Sequence, residues 1–435
     1  MNGVVLISPA CGGIVESGGI YYSSFPLGLG YIGAVLRENG IRVSAVDCEV
    51  EKRPLNEVER VLKKESPSVV GISVTSRTLP FVYGLVNHIK RLGLDTPVVV
   101  GGPHITADPD IVPLLGADYG FAGECEYSFL EFLSGGVYNA RVSDVPGLIT
   151  SQDGRLRVNK PAKITDLNTL PFPGRKLFRL EKYKFTPILT SRGCSFNCAF
   201  CAQAGSGVRF RRPENVVSEV EECAAGGNKI DFVDDVFTVD KKRVLRVCEL
   251  MKDAKINVKW ACTTRADLVD YDILREMYAA GCWYISFGVE SGSERIRQEI
   301  GKGLSNKKII DAFRNCRMIG IKTRAYGMFG HPGETPGEMK STIDFICGLD
   351  ATDALFMPTD IVPGTRLYTL SLKEGRIDGG VWESYMRGLE EYPIYIPKNV
   401  YVEEVFGFVE SAYRSFYGRR AYNKIKNALQ KWMKT

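Results

Sequence analysis

A chain of 435 residues exceeds one ordinary core and predicts two or three domains. Hydrophobic residues at 44% and charged residues at 25% are those of a globular protein, and a net charge of +5, spread along the chain, argues against a nucleic-acid partner. No apolar run approaches the ~18 residues that span a bilayer, and the apolar start Val4–Ile7 is too short for a signal peptide. Twelve cysteines then point to thiols and metal in a reducing cytoplasm, not to a disulfide framework. The basic segment from Arg419 to Lys434 reads as a solvated helix face.

From the N-terminus, short β-branched runs alternate with amphipathic segments. Strands are expected at Val4–Ser8, Val43–Asp47, Val69–Thr75, Val98–Gly102 and Tyr119–Ala122, with helices at Gly28–Asn39, Leu55–Lys64 and Leu79–Leu92 and a further segment near Asp110–Leu115. Buried, non-alternating strands between helices predict an α/β, Rossmann-like doubly wound parallel sheet over residues 1–150. Ligands of such sheets lie beyond the carboxyl ends of the strands, at a switch in strand order. The loops there are Pro9–Gly13, Asp47–Glu51, Ser73–Thr78, Gly101–His104 and Gly123–Glu126. Ser73, Thr75, Gly101, Gly102, Gly123 and Glu124 are the candidate cofactor contacts, since glycine lets a backbone amide approach a bulky ligand. By this pattern alone the domain is a generic Rossmann-like one, holding a nucleotide or nothing.

Residues 151–185, with Asp153-Gly154, Pro161 and Pro171-Phe-Pro-Gly174, read as a linker. Six strand–helix repeats follow over 186–372. Their strands are expected at Ile188–Ser191, Ile230–Val233, Val258–Thr263, Trp283–Val289, Lys322–Phe329 and Ala354–Thr359. Beyond the first of them stand Cys194, Cys198 and Cys201, spaced C-x3-C-x2-C. Chance supplies about 0.01 such triplets in a chain of this cysteine content. Three thiolates suit a [4Fe–4S] cluster, which takes four ligands, and leave one iron with an open position for a small molecule. The plainer readings are a zinc knuckle or three packed thiols.

The triplet, with Phe200 before its last cysteine, resembles the signature of the radical S-adenosylmethionine (SAM) enzymes. That resemblance implies a (β/α)6 partial TIM barrel, SAM chelated by the free iron, and reductive cleavage of SAM to a 5′-deoxyadenosyl radical. It also implies an external electron donor such as ferredoxin or flavodoxin and an anaerobic cell. Phe232-Val-Asp-Asp-Val-Phe237, with Asp234 and Asp235, resembles the second-strand motif at the SAM amino group. Thr263-Thr-Arg-Ala-Asp267 and Ser286-Phe-Gly-Val-Glu-Ser-Gly292 resemble the third and fourth strand ends. They place Arg265 near the SAM carboxylate and Glu290, with Ser291, at the ribose hydroxyls, roles that suit a guanidinium fork and a carboxylate acceptor. Met328-Phe-Gly-His-Pro-Gly-Glu334 and Ile361-Val-Pro-Gly-Thr365 match the fifth and sixth ends, with Phe329 near the adenine and His331 a turn histidine.

Pro26-Leu-Gly-Leu-Gly-Tyr-Ile-Gly-Ala-Val-Leu-Arg-Glu-Asn-Gly40, Gly101-Gly-Pro-His104 and Gly123-Glu-Cys-Glu126 resemble the cobalamin (B12)-binding domain of B12-dependent radical SAM enzymes. Many cobalamin domains carry D-x-H-x-x-G after the second strand, the His ligating cobalt from below; here Asp47-Cys-Glu-Val-Glu-Lys52 has no histidine. The resemblance therefore implies His-off methylcobalamin, with Arg77 or Leu79 near the lower face and Cys48 a packed thiol. Residues 373–435 form a mainly helical cap, with Trp382, Tyr385, Tyr392 and Tyr395, that closes the barrel bottom or the substrate entrance. The cap has no cysteine, against the subfamilies with a further cluster. Cys11, Cys48 and Cys125 only loosely echo the set of a methylthiotransferase. The expected activity is C-methylation of an unactivated carbon, on a peptide or protein side chain such as glutamine or arginine. The alternatives are a B12-dependent cyclase or ring-rearranging enzyme acting on a small molecule, lipid or tetrapyrrole without methyl transfer, and a non-catalytic cobalamin or metal sensor.

Overall fold

The computed structural model describes residues 3–11, 25–135, 144–152, 154–227 and 229–434. Gly12 and Gly13 of the first expected loop and Asp153 of the linker lie outside them, as do most side chains of the basic segment from Arg419. Among the described residues no helix is long and apolar enough to cross a membrane.

The first domain is built on β1 (Val4–Ser8), β2 (Val43–Asp47), β3 (Val69–Ser73), β4 (Val98–Gly101) and β5 (Tyr119–Phe121). These pair in parallel in the order β2-β1-β3-β4-β5. Buried β-branched side chains on both faces account for this arrangement: Val5, Ile7, Val70 and Val100 on one face and Val4, Val69 and Val99 on the other are all at most 4% exposed. The order reverses between β1 and β3, which puts the switch point there. The sheet does not stop at residue 150. An antiparallel hairpin, β6 (Leu148–Gln152) and β7 (Arg155–Val158), adds two strands to its edge beside β5. Gly154, at φ +72°, lies between the two strands.

The second domain is a six-stranded, all-parallel sheet: β8 (Phe185–Ile188), then β11 (Lys229–Phe232), β12 (Trp260–Thr264), β13 (Cys282–Glu290), β14 (Lys322–Phe329) and β15 (Asp353–Pro358), in that spatial order. This is the expected partial barrel. Its first strand ends three residues earlier than the sequence pattern suggests. The cysteine segment is a separate excursion, closed at its base by β9 (Ser191–Arg192) pairing antiparallel with β10 (Arg209–Phe210). Trp260, Phe232, Phe237 and Phe287 fill the layer between strands and helices, all fully buried.

The cap splits in two. Trp382, Tyr385 and Tyr392 join the apolar core of the first domain, alongside Val82, Leu85 and Ile105. The helix Val402–Lys434 instead covers β15, an edge strand that would otherwise expose its backbone. There the Ala354 N–H donates to Tyr417 Oη at 2.9 Å and the Phe356 N–H to Tyr413 Oη at 3.2 Å.

Between the domains, Glu219 is fully buried and paired with both Arg175, at 2.6 Å, and Arg211. Removing the shared carboxylate strands two buried guanidiniums. Glu219→Ala is therefore expected to lose about 3–5 kcal/mol of stability in chemical denaturation. A wild-type unfolding curve for that variant would show the triad to be dispensable.

Candidate active site

The cysteine segment leaves the barrel between β9 and β10 and is fixed from several sides. Gly193, at φ +89°, abuts the Gly207 carbonyl so closely that any side chain would collide with it. The amide of Cys194 donates to Ser206 Oγ at 3.0 Å, that of Ala199 to the Ile300 carbonyl at 2.8 Å, and that of Leu367 to the Ala199 carbonyl at 2.9 Å. Cys194, Cys198 and Cys201 all carry free thiols. Burial pushes the thiols of Cys198 and Cys201 up, while Lys302 and Arg265 pull Cys198 back.

Asp234, at 2% exposure, anchors the root of this segment and does not reach into the mouth. Its carboxylate accepts from Thr190 N at 2.6 Å, Ser191 N at 3.1 Å and Ser191 Oγ at 2.7 Å, and from the Thr190 hydroxyl. Asp235 is exposed at the mouth and takes a hydrogen bond from the Gly193 backbone. Arg265 grips Asp267 at 2.9 Å, donates to the Lys302 carbonyl at 2.9 Å, and stacks on Phe196 of the cysteine segment at 3.8 Å.

Glu290 has a left-handed backbone, φ +65°, at a bulge between β13 and β14. Its carboxylate pairs with Lys302 Nζ at 2.6 Å, both side chains being less than a tenth exposed. Gly288 makes room for the pair, since a Cβ there would collide with both partners. Ser291 is spent on the scaffold: its hydroxyl meets Thr342 Oγ1 at 3.1 Å and Glu334 at 3.3 Å. Phe329 lies on the other face of β14, where its ring packs with Phe356 and Phe408 under the C-terminal helix; strand alternation turns it away from the barrel interior. His331 opens a turn, its carbonyl accepting from the Glu334 amide at 3.0 Å, and its side chain is fully buried. Its Nδ1 meets Thr359 Oγ1 at 3.2 Å, and burial and Lys302 lower its pKa to about 3.

In the first domain, Ser73, Thr75, Gly101, Gly102 and Gly123 sit at the carboxyl ends of β3, β4 and β5, as expected. Thr75 and Thr78 form a reciprocal capping box. Gly102, at φ +110°, is required by contact with the Val74 backbone, so that glycine serves chain packing first. Glu124 is engaged by Arg209 and by the Ile164 amide at 2.9 Å, and its neighbour Glu126 by Arg192. Together they tie the loop after β5 to the base of the cysteine segment. Leu79 is enclosed in the core. Arg77, beside the switch point, reaches the other domain: its Nη2 lies 2.9 Å from both carboxylate oxygens of Asp360, just beyond β15, and its guanidinium stacks on Tyr392 at 4.0 Å.

Sequence reasoning missed Lys302 and Asp360, and named Tyr392 only as a cap aromatic. Lys302 had one signal, a lysine between Gly301 and Gly303, both at positive φ; the pairing of Asp360 with Arg77 had none, because the two lie 283 residues apart.

The donor set fits the cofactors. Among the described residues no three His, Cys, Asp or Glu side chains form a group that could hold a single metal ion. A cubane instead takes its thiolates at separate corners, and three free thiols on one braced segment suit it. Comparison with known proteins agrees. Residues 188–346 match the radical SAM superfamily and residues 18–133 the B12 binding domain. Over 410 residues the chain is 30% identical to the "uncharacterized methyltransferase PH0819" of Pyrococcus horikoshii, covering 91% of this chain and 88% of that one.

This chain belongs to the cobalamin-dependent radical SAM enzymes. It is similar to their methyltransferase type, including cytidylyl-2-hydroxyethylphosphonate methyltransferase of Streptomyces wedmorensis, at 24% identity over 82% of this chain and 79% of the relative. Its fold is that of the radical SAM methyltransferase TsrM from Kitasatospora setae, solved with cobalamin and a [4Fe-4S] cluster, at a TM-score of 0.73 and 21% identity over 86% of this chain and 75% of that one. The cofactors of the family are thus a [4Fe–4S] cluster, SAM and cobalamin.

Lys302→Met is expected to leave cluster assembly intact but weaken SAM binding at least tenfold, about 1.4 kcal/mol. Equilibrium dialysis of the reconstituted enzyme checks this; an unchanged dissociation constant removes Lys302 from the site.

Proposed function

We propose that this enzyme transfers a methyl group to an unactivated carbon of a peptide or protein side chain. The observation that carries methyl transfer is the meeting of the two carboxyl-terminal sheet edges at Arg77 and Asp360, which turns the cofactor mouths of both domains toward each other. When bound, the cluster supplies the electron that cleaves SAM, and cobalamin supplies the methyl group.

The chain's own part is holding and orienting. Cys194, Cys198 and Cys201 hold the cluster. Lys302, with Arg265 beside it, offers positive charge for the SAM carboxylate; Glu290 offers an acceptor for the ribose hydroxyls, and Asp235 stands at the mouth for the amino group. Asp234 and Ser291 act behind them by shaping the backbone. Ser73, Thr75, Gly101, Gly102 and Gly123 would border the corrin, with Arg77 toward its lower face.

A peptide substrate is supported by a cleft of about 650 Å3 lined by Glu374, Gly375, Arg376, Ile394, Ile396 and Lys398. It carries both signs of charge. Beside it, Tyr395 packs in one cluster with Phe200 of the cysteine segment. An extended polar chain suits such a cleft better than a lipid or a planar macrocycle. The reductant we assign is a small external donor, ferredoxin or flavodoxin, in an anaerobic cytoplasm.

Anaerobic enzyme reconstituted with iron, sulfide and hydroxocobalamin is expected to retain both chromophores. Peptide mass spectrometry of cells with and without the gene is expected to show about 14 Da added at a side-chain carbon. A rearranged product of unchanged mass would sink methyl transfer, and methylation confined to the lipid or small-molecule extract would sink the peptide substrate.

A further inference from the structure

We propose that Asp360 is a positioning residue for Arg77, fixing its guanidinium at the lower face of the corrin and balancing its charge there. This deepens the reading of Arg77 above and rests on it. The loop after β3 lies at the β1/β3 switch point, so a side chain leaving it enters the ligand crevice of the first domain. That side chain is held from the other domain. Arg77 Nη2 sits 2.9 Å from each Asp360 oxygen, and the Tyr392 ring lies under the guanidinium at 4.0 Å. The carboxylate also accepts a hydrogen bond from Tyr392.

The backbone is fixed as well. Tyr385 Oη donates to the Arg77 carbonyl at 3.2 Å, and Ser76 Oγ pairs with His104 Nδ1 at 2.9 Å. Asp360 in turn is fixed by its bridge to Ile394, at the end of the sixth barrel strand. The two side chains remain 24% and 21% exposed, a setting in which an ion pair adds little stability. Its geometric consequence is larger: a guanidinium that would swing freely is presented in one orientation, with its charge neutralised.

Charge near the cobalt is read in its redox equilibrium, because reduction from Co(II) to Co(I) adds one negative charge. An uncompensated guanidinium favours the reduced form. Asp360→Asn, reconstituted anaerobically with hydroxocobalamin, is therefore expected to bind the corrinoid fully and to raise the Co(II)/Co(I) midpoint. The expected size is about tenfold in the equilibrium, about 59 mV for a one-electron couple. Its Co(II) electron paramagnetic resonance spectrum should change too, and Asp360→Glu, which keeps the charge, should restore the potential toward wild type. Asp360→Ser is read in its place if the Asn variant does not fold, with the same expected sign. Arg77→Gln separates the two levels. If that variant binds corrinoid with wild-type spectrum and potential, the placement of Arg77 fails and this inference with it. If Arg77→Gln shifts both while the Asp360 variants shift neither, only the inference fails. Loss of corrinoid binding in both Asp360 variants, with Arg77→Gln still binding, also overturns it, since a positioning role leaves binding intact.

Discussion

The ion pair between Arg77 and Asp360 marks where the carboxyl edges of two parallel sheets meet. Each sheet directs its ligand to that edge, for reasons that lie in strand direction and helix packing rather than in any one residue. In the proposed reading, the two edges would share one reaction space. Other ties hold the same relation: Arg192 with Glu126, Arg209 with Glu124, and Tyr183 Oη donating to Asp47 at 2.6 Å. The cap adds apolar area, since Trp382, Tyr385 and Tyr392 are part of the first domain's core although they follow the barrel in sequence.

The charged groups around the cysteine segment share a second feature. Each is engaged by a partner that also restrains backbone. Asp234 binds the amides that open the segment, Arg265 binds the Lys302 carbonyl, and Glu334 accepts from the amides of Gly330 and His331 at 2.8 and 3.0 Å. Buried carboxylates and guanidiniums are costly alone and tolerable when so engaged. The result is a thiol-bearing segment braced on several sides, which is what positioning chemistry requires. Lys302 and Glu290, both nearly buried, neutralise each other beside that segment.

Much of this was legible in the chain. Buried β-branched runs separated by amphipathic helices dictated the parallel sheets, because a strand covered on both faces has no polar alternation to show. The thiol spacing fixed the cofactor class, and the missing histidine after β2 fixed what could not ligate cobalt from there. These are local signals. They depend on residue type and short spacing, and they survive whatever the tertiary arrangement does.

Facing and pairing were a different matter. Phe329 carries a motif position, yet its ring belongs to the helical layer, because a one-residue change in strand phase exchanges the two faces. Asp234 and Glu124 have the chemistry of ligand contacts and are consumed by the scaffold. Asp360 carries no spacing signal at all, and Lys302 only its flanking glycines. Their roles come from bringing together groups up to 283 residues apart, and sequence periodicity contains no term for such a distance. The sequence by itself determined the two sheets and the chemistry of the thiols. Only the tertiary structure decided how the charged side chains pair, because those pairs are made by packing across strands and between domains.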